Sequence, residues 1–195
     1  MKTCEIYEYL ERVSNLLRTD IRKHGIGFGL QPVQLEALNY LSRCNRYSNS
    51  PVAVAEFLGL TKGTVSQTLA VLENSGLIEK RPDQKDRRVV HLEMTESGRR
   101  IVAECIPPMI LRNALAEIDE TRAGALLEAL SGTLGALQRA NQLRSFGACS
   151  TCRHHLLRED HSRHCRLTGE ELSCQDSEKI CREHESPPVA FSAGG

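Results

Sequence analysis

The sequence predicts a mainly α-helical chain that carries one small β-hairpin and ends in a cysteine-rich appendage. Three observations carry this prediction. Apolar residues recur at helical spacing through most of the first 143 positions. The stretch Leu60 to Gly98 departs from that rhythm, with two short strand-like runs around a charged loop. From Phe146 onward, apolar periodicity gives way to dense cysteine and histidine.

The elements follow in order. Ile6, Leu10, Val13, Leu17 and Ile21 predict a helix over 5–24, broken by the glycines of 25–29. Pro32 to Cys44 reads as a second helix, with Pro32 in the first turn, where its missing N–H costs little. Asn45 to Ser50 is a polar turn, and Val52 to Leu58 is a short helix. Gly59-Leu60-Thr61 then makes a tight turn, and Thr61 is placed to cap the next helix. Helix, short glycine-containing turn, helix is the helix-turn-helix arrangement.

The second of these helices has Val65, Leu69 and Leu72 on one face, and Thr61, Thr64, Ser66 and Gln67 gather small polar groups at its start. Such a helix buries one face and offers the other to base edges in a major groove. Gly76 ends it. Leu77 to Lys80 and Val89 to Met94 are the strand-like runs, and residues 80–88 hold five Lys/Arg against two Asp. That loop is too charged for a core and suits contact with phosphates. After it, a helix is expected over 95–106, interrupted by Pro107-Pro108. A last helix spans about Thr121 to Leu143, where Leu127, Leu130, Leu134 and Leu137 form a seam that needs a partner helix.

These motifs together resemble the MarR family of winged helix-turn-helix regulators. The match is carried by Leu58 to Ser66 (LGLTKGTVS), Leu72 to Ile78 (LENSGLI), Asp83 to Arg88 (DQKDRR) and Met94 to Gly98 (MTESG). The family's wing usually reads Asp-x-Arg-Asp-x-Arg, and Lys85 stands where its first Arg is expected. The resemblance implies a homodimer joined through its terminal helices, reading double-stranded DNA at a near-palindromic operator and most often repressing transcription. It also implies a small-molecule, metal or redox effector. On this reading Thr61, Lys62, Thr64, Ser66, Gln67, Lys85, Arg87 and Arg88 bind DNA. Gln67 reads adenine and Lys62 meets phosphate. Lys85 and Arg87 face the duplex, while Arg88 pairs with Asp83 to shape the wing.

The resemblance lends nothing to the cysteine-rich segment, whose chemistry must be read from spacing. Cys149, Cys152, Cys165 and Cys181 form Cys-x2-Cys-x12-Cys-x15-Cys, a set able to close a four-thiolate metal site, with Cys174 as an alternative ligand. His154, His155, His161, His164 and His184 are spare ligands. The segment has little apolar material, so a metal would supply folding free energy. Structural zinc, an iron–sulfur cluster and a metal-free thiol switch all fit the spacing. Cys44 and Cys105 sit among apolar neighbours and read as buried small hydrophobes, and Cys4 as an exposed thiol.

The 195-residue chain has zero formal net charge, so its basic wing acts locally. Trp is absent and aromatics are few, which argues against a single-strand stacking platform. No apolar run approaches the roughly 20 residues that span a bilayer, and no signal segment opens the chain, so a cytoplasmic protein without membrane contact is expected. No phosphate loop, paired-carboxylate motif or nucleophile elbow points to an enzyme. The expected organisation is an N-terminal dimerisation helix over 1–30, the winged helix-turn-helix over 31–98 and dimerisation helices over 99–145. A metal-binding extension over 146–185 and a flexible tail over 186–195 complete it. The competing readings are a zinc-stabilised interaction adaptor and an iron–sulfur redox protein.

Overall fold

The computed structural model describes residues 2–84, 86–140 and 142–187. Helix α1 (Lys2–Gly27) continues through the glycines expected to break it and stops near Gly29, whose φ of 69° only glycine adopts readily. Gly25 has a packing reason to stand inside the helix. A Cβ there would lie 3.4 Å from the Leu30 carbonyl oxygen, so glycine lets the chain turn back closely against α1.

Helix α2 (Pro32–Arg43) is the centre of the core, with Leu35, Leu38 and Tyr40 fully buried. Helices α3 (Pro51–Leu58) and α4 (Lys62–Asn74) pack on it and on each other. Ser50 caps α3, and Gly59 ends it with φ 65°, the left-handed turn that swings the chain into α4. Val65, Leu69 and Leu72 are the buried face of α4, as their spacing requires.

The hairpin pairs β1 (Ile78–Pro82) with β2 (Val90–Met94), antiparallel, Ile78 opposite Met94 and Pro82 opposite Val90. It starts one residue later than the expected run, because the Leu77 N–H still closes the end of α4 on the Leu72 carbonyl. Thr95 caps α5 (Glu96–Cys105); α6 (Met109–Ala116) and α7 (Glu120–Ala140) follow. Cys44 and Cys105 are buried as expected, and Cys4 is exposed. Helix α7 buries no residue, and Leu127 is 70% exposed in the single chain.

Beyond α7 lie a 3₁₀ turn (Cys149–Thr151), β3 (His155–Leu157), β4 (Arg163–Cys165), β5 (Glu171–Leu172) and α8 (Cys174–Glu178). The three strands form one antiparallel sheet in sequence order. This segment has a small core of its own, Cys149, Leu172 and Cys181. It is nevertheless not the separate unit that its composition suggests. Phe146 and Ile180 pack into the main core, and the Tyr40, Phe57 and Phe146 rings cluster with centroids 4.5 to 6.1 Å apart. A segment this poor in apolar residues gains stability by borrowing an existing hydrophobic surface. Of the expected tail, residues 188–195 lie outside the described residues.

Candidate nucleic-acid interface and cysteine cluster

The start of α4 presents the polar face predicted from the sequence. The Thr61 hydroxyl accepts the Thr64 N–H at 3.2 Å and lies 2.9 Å from the Thr64 hydroxyl, so Thr61 is occupied as a cap and positions its neighbour. Lys62, Thr64, Ser66 and Gln67 are exposed. Thr68 is buried, its hydroxyl bonded to the Thr64 carbonyl, which leaves Gln67 as the longest uncharged polar side chain on this face.

In the wing, the Arg88–Asp83 pair expected from the resemblance does not form. Arg88 instead makes a two-pronged contact with Asp86, at 3.0 and 2.9 Å, because the turn folds Asp86 back beneath it. The Arg88 guanidinium holds the Asp86 carboxyl below the usual carboxylate range. Asp83 receives the Asp86 N–H at 2.8 Å and meets His91 Nε2 at 3.0 Å. The other ring nitrogen of His91 lies 2.6 Å from Asn49 Oδ1, and the Leu92 N–H bonds to the Asn49 carbonyl at 2.7 Å. His91 therefore ties the wing to the entrance of α3. The sequence reading gave His91 no role, since its partners lie 8 and 42 positions away.

Two further wing cations are used internally, Lys80 on Glu73 at 2.6 Å and Arg81 on Glu79 and Glu93 at 2.9 and 3.1 Å. Arg87 is exposed and has no carboxylate partner among the described residues. Lys85 lies outside them.

The cysteine segment folds so that Cys149, Cys152, Cys165 and Cys181 line one small cavity of about 30 Å³, with Tyr47, His154 and His155 beside them. Cys174 is exposed at the start of α8 and is not part of that lining. Burial, with the three neighbouring thiols, pushes the Cys149 thiol up to about 12. Burial also raises the Cys181 thiol. The Glu185 N–H points at the Cys152 sulfur at 3.4 Å. Among the described residues, no three His, Cys, Asp or Glu side chains are grouped so as to hold a single metal ion. His184, one of the spare ligands, is held between the Ser145 and Thr151 hydroxyls at 2.6 and 3.0 Å. His161 is exposed, and His164 lies 3.1 Å from the Ser162 hydroxyl.

Residues 179–182 are the hinge of this arrangement. The Ile180 N–H bonds to the Arg43 carbonyl at 2.8 Å and the Asn45 N–H to the Ile180 carbonyl at 2.9 Å. The Arg182 N–H bonds to the Ser48 hydroxyl at 2.8 Å, and its guanidinium grips both oxygens of Glu56 on α3 at 2.7 Å. Tyr47 donates to Glu170 at 2.6 Å and Arg46 to the Glu171 carbonyl at 2.9 Å. The extension is thus docked on the α2–α3 turn, whereas the sequence, in which it directly follows the leucine seam, pointed to the dimer helices. No local signal in the sequence marks Asn45, Ser48, Glu56 and Arg182 as partners.

Comparison with known proteins agrees with this geometry. The pattern that defines the MarR family matches residues 28–89, the helix-turn-helix and most of the wing. The chain is similar to the HTH-type transcriptional repressor NicR of Pseudomonas putida, 30% identical over 106 residues, which cover 52% of this chain and 67% of NicR. It is also similar to the transcriptional repressor MprA of Escherichia coli, 31% identical over 80 residues, 41% of this chain and 46% of MprA. Among solved structures, the MepR–DNA complex from S. aureus matches with a TM-score of 0.54 at 25% identity, covering 68% of this chain and 98% of MepR. A MarR family protein from Bacillus stearothermophilus matches in fold, with a TM-score of 0.59 at 19% identity over 70% of this chain and 96% of that one.

Proposed function

This chain belongs to the MarR family, and on that footing we propose that it is a sequence-specific, dimeric transcriptional repressor that reads a near-palindromic operator. The observation that carries this is the exposed polar start of α4, Lys62, Thr64, Ser66 and Gln67, set beside a wing whose exposed Arg87 has no carboxylate partner among the described residues. One element reads bases and the other grips phosphate, the division of labour that DNA recognition needs. NicR and MprA, by name transcriptional repressors, support the sign of regulation. Dimerisation is supported by the exposed apolar positions of α1 and α7, among them Ile6, Val13, Leu127 and Leu134, which a single chain leaves in water.

A gel shift with the DNA upstream of the protein's own gene tests this reading. Gln67→Ala is expected to lower discrimination at one base pair by about 1–3 kcal/mol while leaving non-specific binding intact. Arg87→Ala is expected to weaken binding to all sequences and to reduce the salt slope by about one. Wild-type affinity in both variants would remove these assignments.

The extension supplies the regulatory input in this account, and the input enters the helix-turn-helix at the α2–α3 turn. Equal operator affinity for the wild type and Cys181→Ser would remove that link. A small-molecule effector has room in the cleft of about 850 Å³ between α3, the start of α4 and the end of α7.

A further inference from the structure

We propose that the cleft between α3, the start of α4 and the end of α7 binds a medium-chain alkyl carboxylate, its chain on the apolar walls and its head neutralised by Arg43 and Lys62. The ligand class rests on the effector reading of that cleft. Its volume of about 850 Å³ falls in the range of small-molecule sites.

The walls suit an alkyl chain. Leu60, in the turn before α4, and Phe146 and Ile180 of the extension line the cleft. All three are partly buried and pack against the main core, so these walls are held in place. The Phe57 ring, also in the lining, is already engaged. Tyr40 stands 4.5 Å from its centroid, Phe146 meets it edge to face at 5.2 Å, and the Arg43 guanidinium lies over it at 5.9 Å. A flexible aliphatic chain therefore fits this surface better than a planar ring that needs an open face to stack on.

The polar groups call for one anionic end. Glu56 is gripped by Arg182 at 2.7 Å and by Arg144 at 3.2 Å. The Ser145 hydroxyl lies 2.6 Å from His184 Nδ1, and Gln138 donates to the Ser145 carbonyl at 2.8 Å. Arg43, besides lying over Phe57, makes a long contact of 3.4 Å to the Asn39 carbonyl. Neither Arg43 nor Lys62 has a carboxylate partner among the described residues, and both are exposed at the cleft. Two uncompensated cations beside an apolar space select a ligand with an anionic head and no further polar groups. Lys62 is also the cation assigned to operator phosphate, so ligand and DNA draw on one charge.

The first test uses no DNA. The full chain is dialysed to equilibrium against labelled decanoate, below its micelle-forming concentration, with decanol and decylamine for comparison. Saturable binding of decanoate is expected, about 10-fold or more tighter than decanol, as one charge-assisted contact gives, and weaker at high salt. Arg43→Met is expected to lose about 10-fold for decanoate and little for decanol, and Arg43→Lys to keep the preference. The Arg43 side chain is exposed, and its bond to the extension runs through the backbone carbonyl, so the substitution spares the fold. Lys62→Met is a second, equally exposed variant. Equal affinity for decanoate and decanol would overturn the proposal, as would wild-type decanoate affinity in both Met variants, or no saturable binding. A second assay adds decanoate to the operator complex. Binding as expected with unchanged operator affinity would leave the site standing and remove its effector role. No decanoate binding beside intact operator affinity would remove the ligand class and leave the repressor reading.

Discussion

A chain carrying Leu130→Glu and Leu134→Glu is expected to sediment as a monomer and to lose operator affinity by about 100-fold or more. Leu127, Leu130, Leu134 and Leu137 lie on α7, and all four are exposed in the single chain, 47% or more. Helix α7 buries nothing of its own, so its apolar stripe stabilises the protein only through a partner. Two charges in that stripe would each have to be desolvated at the interface. The consequence for DNA follows from bivalency. Two recognition helices on one dimer make the second half-site contact intramolecular, which is worth about 10²–10⁴ in affinity. Because the substituted positions are exposed, the monomer should keep its helical content and its wing. Sedimentation together with circular dichroism checks both points. A variant that remains dimeric would place the interface elsewhere.

The second large effect is expected at Tyr40. Its ring is fully buried against Phe57 of α3 and Phe146 of the extension, and its hydroxyl donates to the Ser48 carbonyl at 2.8 Å. Burial drives its pKa far up, so the phenol stays a donor at any working pH. Tyr40→Ala is expected to cost about 3–5 kcal/mol, as for other large aromatic truncations. Tyr40→Phe keeps the ring and leaves the Ser48 carbonyl without this donor, a loss of about 1–3 kcal/mol. Denaturant unfolding measures both. The distinguishing readout is proteolysis of the extension in Tyr40→Ala. Since Phe146 loses a packing partner, the 144–187 segment should be cut sooner than the helix-turn-helix. Simultaneous loss of both regions would mean that the ring stabilises the main core alone.

Much of the α4 face was legible in the sequence because its determinants are local. Thr61 caps, Val65, Leu69 and Leu72 repeat at helical spacing, and Gly76 ends the helix, all within one short window. The hairpin was legible for the same reason, to within a residue or two at its ends. The wing's internal pairing was not. Whether Arg88 meets Asp83 or Asp86 depends on how one turn closes, and His91 found its place through Asn49, far along the chain. The four-cysteine grouping could be read from spacing, and the exclusion of Cys174 could not, because it depends on α8 starting at that residue. Least legible was the docking of the extension. It rests on Ile180, Arg182, Asn45, Ser48 and Glu56, ordinary residues whose meaning comes from pairing across more than a hundred positions.

This docking places the extension against the α2–α3 turn rather than against α7. On the proposed reading, chemistry at the cysteines would reach the turn that leads into α3 before the spacing of two recognition helices. No described helix is long and apolar enough to cross a membrane.

The most direct test of the central claim is in vitro selection of the full chain on random duplex DNA, followed by footprinting of the enriched sequence. The account predicts an inverted repeat with half-site centres about one helical turn apart, roughly 10 base pairs, protected by one dimer. Gln67→Ala should relax the preference at a symmetric pair of positions within it. Selection that enriches no common sequence, with binding that merely falls as salt rises, would contradict a sequence-specific repressor.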